Sequence, residues 1–208
     1  FVSDAVYLHG GIENQDALTG YDAGGYAQRM DVYLDGPVTF TGGGRVEFPD
    51  GGGFRSANGS GSGDTLVNED NTIVGWGEIY SLPFTNRALV HANAPDRYLM
   101  INLDPLDGSI TNEGTLRASQ GASLELTGDY INTGGVIEAL ADSKVVLNPG
   151  TRVTNGLLRS EGTGIVEVHG YSSYGPSNEV WLTDVALEGP VFVSDAVYLH
   201  GGIENQDA

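Results

Sequence analysis

Polar and apolar residues alternate along much of the chain, as in Leu124-Glu125-Leu126-Thr127. That period of two marks a strand with one face buried and the other in solvent. No window sustains the 3.6-residue period of a helix, and Gly, Asn, Asp and Pro interrupt the alternation every few residues. The pattern predicts short strands joined by tight turns and an all-β fold.

The strands recur at a fixed interval. Leu116, Ile137 and Leu158 are 21 residues apart, as are the small residues Ala118, Ala139 and Ser160. Leu124, Val145 and Val166 keep the same step, and so do Leu126, Leu147 and Val168. A unit of this length holds two or three short strands, which predicts one coil of a parallel β-helix with roughly 21 residues per coil. Each strand then lies about 4.8 Å from its counterpart in the next coil, and each column becomes a ladder. Leu116, Ile137 and Leu158 stack inside, while Arg117, Glu138 and Arg159 stack outside with alternating charge. FTNRALVHA from Phe84 aligns with ITNEGTLRA from Ile110 at a step of 26 residues. The longer step predicts a loop within Asn93–Tyr98 or Leu103–Gly108.

A second, longer repeat overlies the first. FVSDAVYLHGGIENQDA opens the chain at Phe1 and closes it at Phe192–Ala208, an offset of 191 residues. DVALEGPVFVS from Asp184 also resembles DVYLDGPVTFT from Asp31, and in each a Gly-Pro pair (Gly189-Pro190, Gly36-Pro37) is expected to end one strand and begin another. Residues 1–191 thus read as one β-helical unit and 192–208 as the start of the next identical unit in a longer tandem array. In the second copy, alternation places Val197 and Leu199 on one buried face with Tyr198 outside. Gly201-Gly202 makes a turn, and Ser194-Asp195 bends the chain between two short strands.

The succession NTIVGWGEI, FTNRALVHA, ITNEGTLRA, INTGGVIEA, VTNGLLRS resembles repeats of large bacterial surface and secreted β-helix proteins, the filamentous-haemagglutinin-like adhesins and autotransporter passenger domains. It covers roughly Asn71 to Gly170 and carries no catalytic signature. The resemblance implies a right-handed parallel β-helix outside the cell or on its surface, serving as a stalk or an adhesive. Right-handedness also follows from the strong preference of parallel connections for that hand. Leu18–Met30 and Asn58–Asp70 fit the pattern poorly, and the turn at Asn155-Gly156 is one residue short.

Composition narrows the functions. Glycine contributes 32 residues, well above the usual share of about 7%, yet 39% of the chain is hydrophobic, so it is turn-rich rather than disordered. A net charge of −19 argues against a nucleic-acid partner, whose phosphates need a positive surface. With no cysteine, disulfides, thiolate metal sites and cysteine nucleophiles are excluded. No stretch approaches 18 consecutive apolar residues, so no helical membrane span is expected.

Few residues suggest chemistry. Asn86, Asn112, Asn132 and Asn155 recur about once per coil before a turn, where Asn side chains bond to their own turn or to one another. The glycine-rich Thr41–Gly53 and Asn58–Asp64 lack the Lys-Ser/Thr ending and helix of a phosphate loop. Asn58–Asp64 echoes calcium-binding repeats only once, so calcium has no motif behind it and no cofactor or metal is expected. Asp96, Asp104 and Asp107 near Arg97 are the carboxylates best placed for acid–base work, but no catalytic pair is defined. His9, His91, His169 and His200 are expected to face solvent.

Tyr21, Tyr26, Tyr171, Tyr174 and Trp181 lie in loop-like segments, where rings can stack on sugars or on neighbouring protomers. The expectation is a non-enzymatic structural repeat of an extracellular fibre, stalk or surface filament, its partner another copy of itself, head to tail. The alternatives are an adhesin module contacting glycans or other cells through the aromatic loops, and a β-helix polysaccharide lyase or hydrolase.

Overall fold

A computed structural model describes residues 5–20, 29–59, 61–103, 108–170 and 179–206. Among these the chain is all-β: 25 strands and no helix. The first coil holds β1 (Ala5–Glu13) and β2 (Ala17–Thr19), and the second β3 (Met30–Thr41) and β4 (Arg45–Phe48). Each later coil contributes three strands. These are β5–β7 (Gly52–Ser56, Thr65–Asn68, Thr72–Gly75), β8–β10 (Gly77–Tyr80, Phe84–Asn86, Leu89–Ala92) and β11–β13 (Tyr98–Asn102, Ile110–Asn112, Thr115–Ala118). Next come β14–β16 (Ser123–Thr127, Asp129–Ile131, Val136–Ala139) and β17–β19 (Lys144–Leu147, Arg152–Thr154, Leu157–Ser160). The last two coils are β20–β22 (Ile165–Val168, Val180–Thr183, Ala186–Glu188) and β23–β25 (Val191–Val193, Val197–His200, Glu204–Gln206).

Every described strand pairs in parallel with its counterpart one coil away, so the described residues form a solenoid of nine coils. The strands stack into three faces. β2, β4, β7, β10, β13, β16, β19, β22 and β25 make one sheet on their own, the third face. The other two faces are joined through the long β3, whose first half (Met30–Leu34) pairs with β5 and whose second half (Pro37–Phe40) pairs with β6. β1 follows it round the same corner, with a register shift between Leu8 and Gly10. The Gly-Pro pair therefore marks a change of face: Gly36 turns the corner with φ +93° inside a continuous strand, and Gly189, φ +77°, separates β22 from β23.

The predicted ladders form as read. Leu116–Ile137–Leu158, Leu124–Val145–Val166 and Leu126–Leu147–Val168 pair in register and are fully buried. The 21-residue step holds only for these coils. From Leu158 to Leu187 it is 29 residues, and from Leu18 to Asn205 the third face climbs at an average of about 23 residues per coil. The cause is that strand lengths are set by the cross-section, whereas corner loops project outward and vary freely. The 26-residue step resolves into both predicted loops. Register moves by one residue between β10–β13 and β11–β14, across Asn93–Arg97, and by five between β11–β14 and β12–β15, across Leu103–Ser109.

Columns of Val, Leu and Ile fill the interior, with a cluster of rings in the early coils: Phe54 meets Phe40 and Phe48 edge-on, with centroids 5.7 and 5.4 Å apart. Backbone crowding beside this cluster demands glycine. Gly53 has φ +145°, and a Cβ there would collide with the carbonyl oxygen of Glu78 in the next coil. The segments that matched the pattern poorly are partly absorbed: Leu18 belongs to β2, and Thr65–Asn68 is β6.

Candidate functional site

The most ordered polar feature is a spine of asparagines inside the solenoid. Asn68, Asn86, Asn112 and Asn132 occupy one column at the end of the second face, each with no solvent exposure. Asn68 Nδ2 donates to Asn86 Oδ1 at 3.0 Å, Asn86 Nδ2 to Asn112 Oδ1 at 2.8 Å, and Asn112 Nδ2 to Asn132 Oδ1 at 2.7 Å. Each amide also reaches a carbonyl of its own turn: Asn71 O, Ala88 O, Gly114 O or Gly135 O. Burying these amides is tolerable because their donors and acceptors are matched along the stack.

Asn155 is next in that column by register but does not join it. Only Gly156 separates it from β19, so both residues take positive φ (64° and 75°), and the Asn155 side chain turns out to Thr133 Oγ1 at 2.9 Å. Asp184, one coil further on, has the same short turn and φ +53°. Asn68 was missed in the sequence because it stands 18 residues before Asn86, ahead of an acidic turn outside the N-x-G pattern.

On the outer side of the third face runs the charged column. Arg117 Nε lies 2.5 Å from Glu138 Oε1, and Arg159 Nε donates to Glu138 Oε2 at 3.0 Å. Alternation points Glu138 outward, yet the two guanidinium groups cover it completely. Burial raises the Glu138 pKa, but bonds from Arg159 and Arg117 outweigh it and hold the carboxyl below its usual range. A depressed pKa contributes stability above the ordinary glutamate value, and that stability is lost as pH falls through the lowered one. Glu138→Gln should therefore cost about 2 kcal/mol at neutral pH, the scale of hydrogen bonds to a charged group. In thermal melts the gap between variant and parent should close on acidification.

Asn58–Asp64 is organised from within. The buried Asp64 carboxylate accepts bonds from Ser56 Oγ (2.5 Å), Gly36 N (2.7 Å), Asn58 N (3.3 Å) and Asn58 Nδ2. Burial opposes ionisation, but these bonds prevail and bring its pKa from 3.8 to about 2. The carboxylate thus serves as the loop's own anchor.

Of the aromatic candidates, Tyr21, Tyr26, Tyr171 and Tyr174 lie outside the described residues. Trp181 is described, on β21. Its ring stacks on Tyr198 of the last coil (centroids 4.4 Å apart, planes 11° apart) and tilts against His200 at 5.3 Å. At the other end of the solenoid Tyr7 stacks on Tyr33 at 5.2 Å. The column continues to Arg55 and Tyr80, whose ring lies 5.9 Å from the Arg55 guanidinium.

The remaining candidates are dispersed. Asp104 and Asp107 lie outside the described residues; Asp96 sits in a turn at φ +58°, and Arg97 covers the Trp76 ring at 4.9 Å. His9 bonds to the Asp35 carbonyl and His169 lies 3.4 Å from Glu167. His91, expected in solvent, is half-buried against Ser119 Oγ at 2.6 Å, and burial lowers its pKa. Among the described residues no three His, Asp or Glu side chains converge to hold a metal ion. An open cleft of about 430 Å³ lies beside Tyr80, Leu103, Asp129 and Arg152.

Comparison with protein-family models, with curated proteins and with solved structures finds no match for this chain.

Proposed function

We propose that the protein is a structural repeat of an extracellular or cell-surface fibre or stalk: a right-handed parallel β-helix that continues end to end into further copies of itself. Residues 1–191 are one repeat and 192–208 open the next. The observation that carries this reading is the recurrence of residues 1–17, letter for letter, at 192–208. Among the described residues, β1 and β2 lie at one extremity of the stack and β23–β25 at the other, each sheet ending on a strand edge that no described strand pairs. An open edge recruits another strand unless it is covered. Leu199, on the last coil, is 55% exposed above the buried Leu182, as a column residue is when its next coil is absent.

The work of such a repeat is mechanical, adding length without chemistry or a cofactor. Stability is close to a sum over neighbouring coils, so repeats can be added without redesigning the core. A charge of −19 per chain opposes side-by-side clumping of the shafts. Electron micrographs of chains carrying one, two and three consecutive repeats test the reading. Particle length should grow by about 40 Å per repeat at 4.8 Å per coil; particles that thicken without lengthening would reject it.

A second reading, a glycan- or cell-binding adhesin module, draws on the outward column Tyr7, Tyr33, Arg55 and Tyr80. Sugar binding that disappears on Tyr33→Ala and Tyr80→Ala would favour it.

A further inference from the structure

The two copies of the 17-residue segment occupy different faces of the solenoid. In the first copy Val6, Tyr7 and Leu8 lie on the first face, paired with Val32, Tyr33 and Leu34 of β3. In the second copy the same residues, Val197, Tyr198 and Leu199, lie on the second face, paired with Val180, Trp181 and Leu182 of β21. Val6 and Val197 both pack against the core, as do Ile12 and Ile203 further along. From one placement to the other the chain has climbed eight coils and one additional face.

We infer that consecutive repeats join one-third of a turn out of phase, the second face of one repeat continuing as the first face of the next. This rests on the tandem reading above. Among the described residues each copy supplies the neighbour that the other lacks: the first pairs with the coil after it, the second with the coil before it. Superposing the two gives one complete coil with matched columns. Val180 leads through Val6 to Val32, and Leu182 through Leu8 to Leu34, all inward. Trp181 leads through Tyr7 to Tyr33 on the outside, with both ring stacks preserved.

The occupant of the exposed C-terminal edge is thus the N-terminal half of β3 from the next repeat, arriving over Tyr198 and Leu199. The aromatic column then runs unbroken across the junction, from Trp181 through Tyr7 and Tyr33 to Arg55 and Tyr80. Between the two placements, 191 residues span eight coils and one face, or eight and a third coils. Successive repeats therefore rotate by about 120° around the axis, and any loop is displayed in three directions along the fibre.

The chain has no cysteine, so engineered pairs report the phase cleanly. In a chain of two consecutive repeats, Trp181→Cys in the first and Tyr7→Cys in the second should oxidise to a disulfide, read as loss of both free thiols. Neighbouring coils hold paired positions within disulfide reach. Thr183→Cys with His9→Cys of the second repeat should behave alike and avoids removing the tryptophan.

Closure instead between Glu167→Cys and Tyr7→Cys of the second repeat would mean that the units join in phase on the first face, overturning the one-third turn while leaving the tandem reading intact. Retention of both thiols in all three pairs would overturn the junction itself. A two-repeat chain no longer than one repeat in micrographs would reject the tandem reading as well.

Discussion

Asn112→Asp is expected to destabilise the solenoid by about 3–5 kcal/mol at neutral pH, the range for leaving a buried charge uncompensated. Asn112 has no solvent exposure, and its Nδ2 is the donor that Asn132 Oδ1 accepts at 2.7 Å. An ionised carboxylate puts an acceptor against an acceptor and a charge into the core. Only its protonated form can donate in that direction, so the folded state raises the pKa of the new aspartate. A raised acid pKa costs stability above the unfolded value of about 3.9 and costs little below it. Urea unfolding should show the deficit at pH 7 shrinking as the pH falls below about 4. A deficit independent of pH would mean that the amide acts only as filler.

Phe54→Ala should cost about 3–5 kcal/mol, as for other buried phenylalanines cut back to alanine. Phe54 is fully buried between Val32 and Ile79 in its column and touches Phe40 and Phe48 by their edges. Coil spacing is fixed by backbone hydrogen bonds on all three faces, which limits collapse into the cavity and favours the upper part of the range. Phe54→Leu, which keeps most of the volume, should cost less than half as much in the same denaturation experiment. In a chain whose coils contact only their neighbours, the damage should also be local. Amide exchange should quicken in β3, β5 and β8 and stay near parental in β17–β20.

How much of this was legible in the sequence depended on the spacing of each element. Leu116, Ile137 and Leu158 announced themselves because two consecutive coils have equal loops, so stacked residues are also equally spaced in the chain. Where corner loops lengthen, as before Leu187, the ladder continues in space but its period vanishes from the sequence. Alternation correctly assigned Glu138 to the outer side, but parity does not reveal that two arginine side chains close over it. The asparagine spine was half visible. Its members were found where the turn pattern recurs, Asn68 was hidden by a different turn, and Asn155 was included although its one-residue turn rotates it out of the stack. Leu199, which alternation puts on a buried face, is 55% exposed on the last coil. The terminal copy itself was plain from the start, and its bend fell at Ser194-Asp195. Its change of face was beyond reach, because phase depends on the summed length of every loop between the two copies.

X-ray fibre diffraction from aligned multi-repeat arrays tests the central claim most directly. Stacked coils running across the fibre require a reflection near 4.8 Å along its axis, with an axial rise of about 40 Å per repeat. A 4.8 Å reflection perpendicular to the fibre axis, or none at all, would contradict a solenoid that builds length by adding coils.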